Sequence, residues 1–151
     1  MLALISANPM SIPISPPDPQ QSSSIVATLR ADYQRFPQDQ TYSLYAEDVF
    51  FQDPLNSFHG VDRYREMIHF IARWFREPRL ELHDIVQNDR QIRTEWTLSW
   101  ICPFPWQPAV SISGYTEMDL NAVGLIQSHR DYWYSSRWNV LQQAIGLVSP
   151  S

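Results

Sequence analysis

Between Pro78 and Arg137 no window carries apolar residues at helical spacing, and that restricts the fold more than any other feature of the chain. In its place stand runs with an apolar residue at every second position, the pattern of a strand with one buried face. In the clearest run, Ile92, Trp96, Leu98, Trp100 and Cys102 share one phase, and Arg93, Glu95, Thr97 and Ser99 share the other. A second run, Val110 to Asn121, places Ile112, Gly114, Thr116, Met118 and Leu120 together. Arg79 to Asn88 alternates imperfectly: Leu80, Leu82 and Val86 agree, Ile85 breaks the phase, and a β-bulge is expected there. Leu125 to Ser135 is mixed on both faces. A proline-rich connection, Pro103 to Pro108, and the turn Asn121-Ala122-Val123-Gly124 separate the last three runs. The expectation is four long strands in a meander.

The helices lie upstream. Ile25, Val26, Leu29, Tyr33 and Phe36 recur at helical spacing after a serine cap among Ser22 to Ser24, and Pro37 ends the helix. A short helix is expected from Asp39 to Tyr45, then a brief buried strand at Val49-Phe50-Phe51 closed by Asp53-Pro54. After Gly60, the stripe Val61, Tyr64, Met67, Ile68, Ile71, Trp74 and Phe75 predicts an amphipathic helix that stops at Pro78. A weaker helix is expected at about Arg137 to Ile145. Helices segregated from an antiparallel sheet mean an α+β architecture: a curved sheet of about four long strands plus a short one, packed on about three N-terminal helices. Residues 1–23, rich in proline and serine, read as a flexible tail, and 24–147 as one domain.

Composition excludes several function classes. The chain has 151 residues and a net charge of −5, and its 11 basic residues are all arginine with no basic run, so nucleic acid is not an expected partner. Cys102, the single cysteine, reads as a small core residue and rules out a thiolate metal cluster. His59, His69, His83 and His129 fall on different elements without ligand spacing, so neither metal nor cofactor is implied. No apolar run reaches the roughly 20 residues of a membrane span, and the short apolar start lacks a basic n-region. A cytoplasmic protein is the expectation.

The run Tyr45-Ala46-Glu47-Asp48-Val49-Phe50-Phe51-Gln52-Asp53-Pro54, with Gly60 and the Val61 helix after it, resembles the opening of the nuclear transport factor 2-like superfamily. That superfamily includes SnoaL-like and ketosteroid-isomerase-like members. The close of the meander, Asn121 through Trp133, is similar to the end of the same fold. Together these runs also resemble an uncharacterised family found in cyanobacteria and plastids. The resemblance implies the cone-shaped fold and an internal pocket. It places Asp53 where ketosteroid isomerases keep a proton-shuttling base, and Thr116 where they place a carboxylic acid, for which threonine is a weaker oxyanion donor. Asp131 falls near the acid/base of SnoaL-like cyclases. Tyrosine-rich outer sheet faces form dimer interfaces in this fold, so the phase of Tyr115, Tyr132 and Tyr134 implies a homodimer.

The candidate catalytic residues are therefore Asp53, His129 and Asp131. His129 and Asp131 lie two apart on one strand, so imidazole and carboxylate share a face. Asp53 has a second reading as a turn residue bonded to local N–H groups. The expected ligand contacts are Tyr45, Trp100, Thr116 and Trp133, with Trp74 and Trp96 read as ordinary core. Three functions fit: a domain binding a small lipophilic or ring-bearing ligand, an isomerase-, cyclase- or dehydratase-type enzyme, and a dimeric interaction module using the outer sheet face and the Pro103 to Pro108 loop.

Overall fold

The computed structural model describes the backbone of residues 19–150 and the side chains of residues 24–150. The first helix, α1, spans Pro19–Arg35 and so starts ahead of the expected cap at Ser22 to Ser24. Proline suits that first turn, because the N–H it lacks would have no helical partner there. The rest of the expected tail, residues 1–18, lies outside the described residues.

Ile25, Leu29 and Tyr33 bury one side of α1, and so does Asp32. Asp32 organises the segment after the helix. It pairs with Arg35 and accepts from the backbone N–H (3.0 Å) and hydroxyl (2.8 Å) of Thr41, while its own carbonyl accepts from Gln40 Nε2 at 2.9 Å. With these groups tied back to α1, and Asp39 at φ 47°, the helix expected from Asp39 to Tyr45 is reduced to a 3-10 turn, Tyr42–Leu44.

Tyr45 instead opens β1, Tyr45–Gln52, of which the expected Val49-Phe50-Phe51 strand is the second half. β1 turns at Asp53-Pro54 into β2, Ser57–His59, a strand not anticipated from the sequence, and pairs with it antiparallel. Helix α2, Val61–Trp74, buries Tyr64 and Ile68. Next come four long strands, β3 (Arg76–Asn88), β4 (Gln91–Ile101), β5 (Ala109–Leu120) and β6 (Ile126–Trp133), then helix α3 (Arg137–Ala144).

The six strands form one sheet in the order β2-β1-β6-β5-β4-β3. The α+β class holds, with two corrections. β1 runs parallel to β6, so the sheet is mixed rather than wholly antiparallel. Among the described residues the three helices are α1, α2 and the C-terminal α3, not three N-terminal ones. Helix α1 packs on β3, α2 on β1 and α3 on β5, so one sheet face is covered.

The phase break in β3 is real. The β3–β4 register slips between Leu82 and Asp84, leaving His83 as the extra residue. One added residue inverts the side-chain phase. Ile85 is therefore 7% exposed and Val86, expected inward, is 46% exposed. Trp74 is also turned out, at 47% exposed, against its reading as core. It stands six residues after Ile68, about 240° round the helix.

Candidate functional site

A cavity of about 130 Å³ opens between α1, α2 and the inner sheet face. Its walls are mostly apolar, including Leu29, Phe51, Ile68, Trp96 and Met118. Asp53, His129, Asp131, Tyr45, Thr116 and Trp133 all line it, so six residues singled out in the sequence converge on one space. Trp100 does not. It stacks on Phe75, with ring centroids 4.3 Å apart and planes at 17°, beyond the end of α2. Trp96, four residues earlier in the same strand phase, takes the wall position instead.

The polar centre is built on adjacent strands. Thr116 of β5 is directly across from Asp131 of β6. The Thr116 hydroxyl donates to Asp131 Oδ1 at 2.6 Å and accepts from Trp96 Nε1 at 2.8 Å. His129 Nε2 lies 2.9 Å from the same oxygen and donates to it. Asp131 Oδ1 thus receives two hydrogen bonds, while no hydrogen bond from the described residues engages Oδ2. A carboxylate held by two donors keeps its orientation, and its second oxygen stays available to a ligand. His129 is 7% exposed, and its Nδ1 is buried without a hydrogen-bond partner among the described residues. The rings of Phe51 (5.2 Å), Tyr64 (5.6 Å) and Tyr45 (6.2 Å) surround it.

Asp53 is a turn residue set at the cavity wall. Its Oδ1 accepts from the backbone N–H groups of Leu55 (2.7 Å) and Asn56 (2.6 Å), and the Asn56 amide reaches both carboxylate oxygens at 3.2 Å, which makes it a turn residue. It also lines the cavity. Burial pushes its carboxyl above the ordinary range, the local hydrogen bonds work against that shift, and the negative charge of Asp131 adds to it.

Several contributors escaped the sequence reading as site residues. Tyr33, Tyr64 and Trp96 line the cavity, and Thr94 hydrogen-bonds the Tyr33 hydroxyl at 2.7 Å. Tyr45 donates to the Tyr64 hydroxyl at 3.3 Å. Burial raises the phenols of Tyr33, Tyr45 and Tyr64, so each stays a neutral hydroxyl able to donate. Thr94 left a readable signal, a lone hydroxyl in the inner phase between Ile92 and Trp96. Among the described residues no group of three or more His, Cys, Asp or Glu side chains is arranged to hold a metal ion.

Solved structures share this architecture. A putative SnoaL-like polyketide cyclase from Jannaschia sp. CCS1 aligns with a TM-score of 0.67 at 13% identity, over 84% of this chain and 93% of that one. A protein with a ketosteroid isomerase-like fold from Catenulispora acidiphila, solved in complex with trimethylamine, aligns at 0.63 and 16% identity, over 80% and 91%. An NTF2-like protein of unknown function from Exiguobacterium sp. 255-15 aligns at 0.60 and 14% identity, over 74% and 98%. At such identities the likeness is one of fold, and the fold is NTF2-like. No curated protein matches the chain. One family model matches residues 23–129, a span that takes in Asp53, Thr116 and His129 and stops two residues before Asp131. The chain therefore belongs to the family described as Uncharacterized conserved protein (DUF2358).

Proposed function

We propose that this chain is a small-molecule-binding protein whose cavity holds one mostly apolar molecule, about a single ring in size, with its polar end on Asp131. The observation that carries the reading is a carboxylate whose Oδ1 is fixed by Thr116 and His129 in a mainly apolar cavity, with no hydrogen bond from the described residues to its Oδ2. Such a site resembles a ligand pocket: apolar walls and a few convergent polar groups. Size sets the ligand class. An engineered apolar cavity of about 150 Å³ takes benzene, and this one is about 130 Å³. The Catenulispora acidiphila protein was solved with trimethylamine, a molecule well within that limit.

The test is a thermal-shift panel of neutral, anionic and cationic compounds of one ring or less, run on wild type and Asp131→Asn. A ligand at about 100 times its dissociation constant stabilises by about 2.7 kcal/mol. Binding in wild type that weakens in Asp131→Asn supports the reading. A panel that leaves wild type unmoved refutes it.

A second reading, proton transfer next to a carbonyl, draws on the second carboxylate. Asp53 and Asp131 line one cavity with three neutral phenols, a set able to accept a proton and steady an oxygen. Deuterium exchange into cyclopentanone, faster with wild type than with Asp131→Asn, is its expected signature. Equal rates remove Asp131 from that role, and equal rates in Asp53→Asn as well exclude the reading.

The outer sheet face is proposed as a homodimer contact. Tyr115 stacks on Tyr132 at 4.8 Å, Tyr134 joins them at 5.8 Å from Tyr115, and Arg93 lies over Tyr115 at 4.0 Å. Tyr134 is 62% exposed. A rigid tyrosine cluster with one arginine has the composition of an interface core.

A further inference from the structure

Charge around the cavity is one-sided. Asp32, Asp53 and Asp131 line it, whereas no arginine does among the described residues, and the chain has no lysine. Asp32 is matched by Arg35 and by both donors of Thr41. Asp53 and Asp131 have no arginine partner among the described residues. His129 is the one described lining residue able to carry a positive charge, and it is already turned onto Asp131. Its other nitrogen is sealed among aromatic rings and offers nothing to the cavity. Even with His129 protonated, one carboxylate charge is left uncompensated.

The walls point the same way. Tyr33, Tyr45, Phe51, Tyr64, Trp96 and Trp133 all line the space. Aromatic rings attract cations through the negative potential of their faces. An anionic ligand would meet two carboxylates. A neutral one would leave them without a counter-charge in an apolar setting, which is costly.

We propose that the cavity selects a small organic cation, a tertiary or quaternary ammonium group, seated among the aromatic rings with its charge against Asp131 and Asp53. This rests on reading the cavity as a ligand site, and deepens that reading by assigning the sign of the ligand's charge. No covalent step is involved. The burial that raises the Asp53 carboxyl is what an arriving cation would oppose.

The experiment is calorimetric titration of the full chain with three compounds of similar bulk: tetramethylammonium, neutral tert-butanol and anionic pivalate. Tetramethylammonium is expected to bind about tenfold or more tightly than tert-butanol, with pivalate weakest. Asp53→Asn and Asp131→Asn, which keep side-chain shape, are each expected to weaken tetramethylammonium several-fold, and by more than they weaken tert-butanol. The three-compound comparison on wild type stands even where a variant does not fold. Equal affinity for tert-butanol, or ammonium affinity unchanged in both folded variants, overturns the proposal. Phenol, titrated alongside, separates the two claims. Phenol binding without tetramethylammonium leaves the pocket standing and removes the cation. If none of the four compounds binds, both readings fall.

Discussion

Thr116→Val removes one hydroxyl from the middle of the polar network and nearly preserves side-chain shape. Thr116 is 1% exposed, so its loss is felt in a packed setting. Two hydrogen bonds go with it, the donation to Asp131 at 2.6 Å and the acceptance from Trp96 at 2.8 Å. A bond to a charged group contributes about 1.5–3 kcal/mol, and a buried donor left unpaired costs about 1–3 kcal/mol. Solvent reaching the cavity recovers part of this, so the expected loss is about 2–4 kcal/mol. For a domain of this size that lowers Tm by roughly 8–15 °C. Thr116→Ser is the control. It keeps the hydroxyl and loses one methyl group, a cost of about 1 kcal/mol. Urea unfolding monitored by tryptophan fluorescence reads all three proteins. The double variant with Asp131→Asn should show a coupling of about 0.5–3 kcal/mol. A valine variant within about 0.5 kcal/mol of wild type, or a serine variant less stable than the valine one, refutes the reasoning.

The same geometry predicts three other outcomes. A Cβ on Gly114 would lie 2.1 Å from the Tyr132 carbonyl oxygen and 3.2 Å from the Trp96 ring, so β5 and β6 must part: Gly114→Ala is expected to lose about 3 kcal/mol in urea unfolding. The folded-state pKa of Asp53 is raised above its ordinary value of 3.8, so the native protein binds its proton more tightly than the unfolded chain does. The Asp53 contribution to stability is therefore most favourable below that value and declines as pH rises toward the raised folded value. Asp53→Asn should remove that slope between acid and neutral pH in unfolding curves, and an unchanged slope contradicts it. Tyr134→Glu places a charge on the outer sheet face, and sedimentation velocity should report a shift from dimer to monomer with unchanged circular dichroism.

How much of the molecule was legible in the sequence depends on what periodicity encodes. The inner phase of β5 is visible because Ile112, Thr116, Met118 and Leu120 are all buried at even spacing. The convergence of His129 and Asp131 is visible because a two-residue step returns to one face. Phase does not say where along a strand the cavity ends. Trp100 shares a phase with Trp96, yet Phe75 covers it while Trp96 reaches the cavity. Strand partners are not encoded either, and nothing in Tyr45–Gln52 specifies parallel pairing with β6. The shortened second helix escaped because its cause is tertiary, the capture of Thr41 and Gln40 by Asp32. Tyr33 and Tyr64 carried helical spacing and read as core, because burial against a cavity and burial against a wall leave the same pattern.

The most direct test of ligand binding in this cavity is a titration monitored through the indole N–H resonances of the six tryptophans. Trp96 and Trp133 line the cavity, and Trp96 donates directly into the network that fixes Asp131. Trp74, Trp106 and Trp138 are exposed on the surface, and Trp100 is stacked on Phe75. Titration with tetramethylammonium and with phenol should move the Trp96 and Trp133 signals, leave the other four in place, and lose its effect on Trp96 in Asp131→Asn. Shifts confined to Trp106 and Trp138, or an unmoved spectrum at millimolar ligand, would contradict the account.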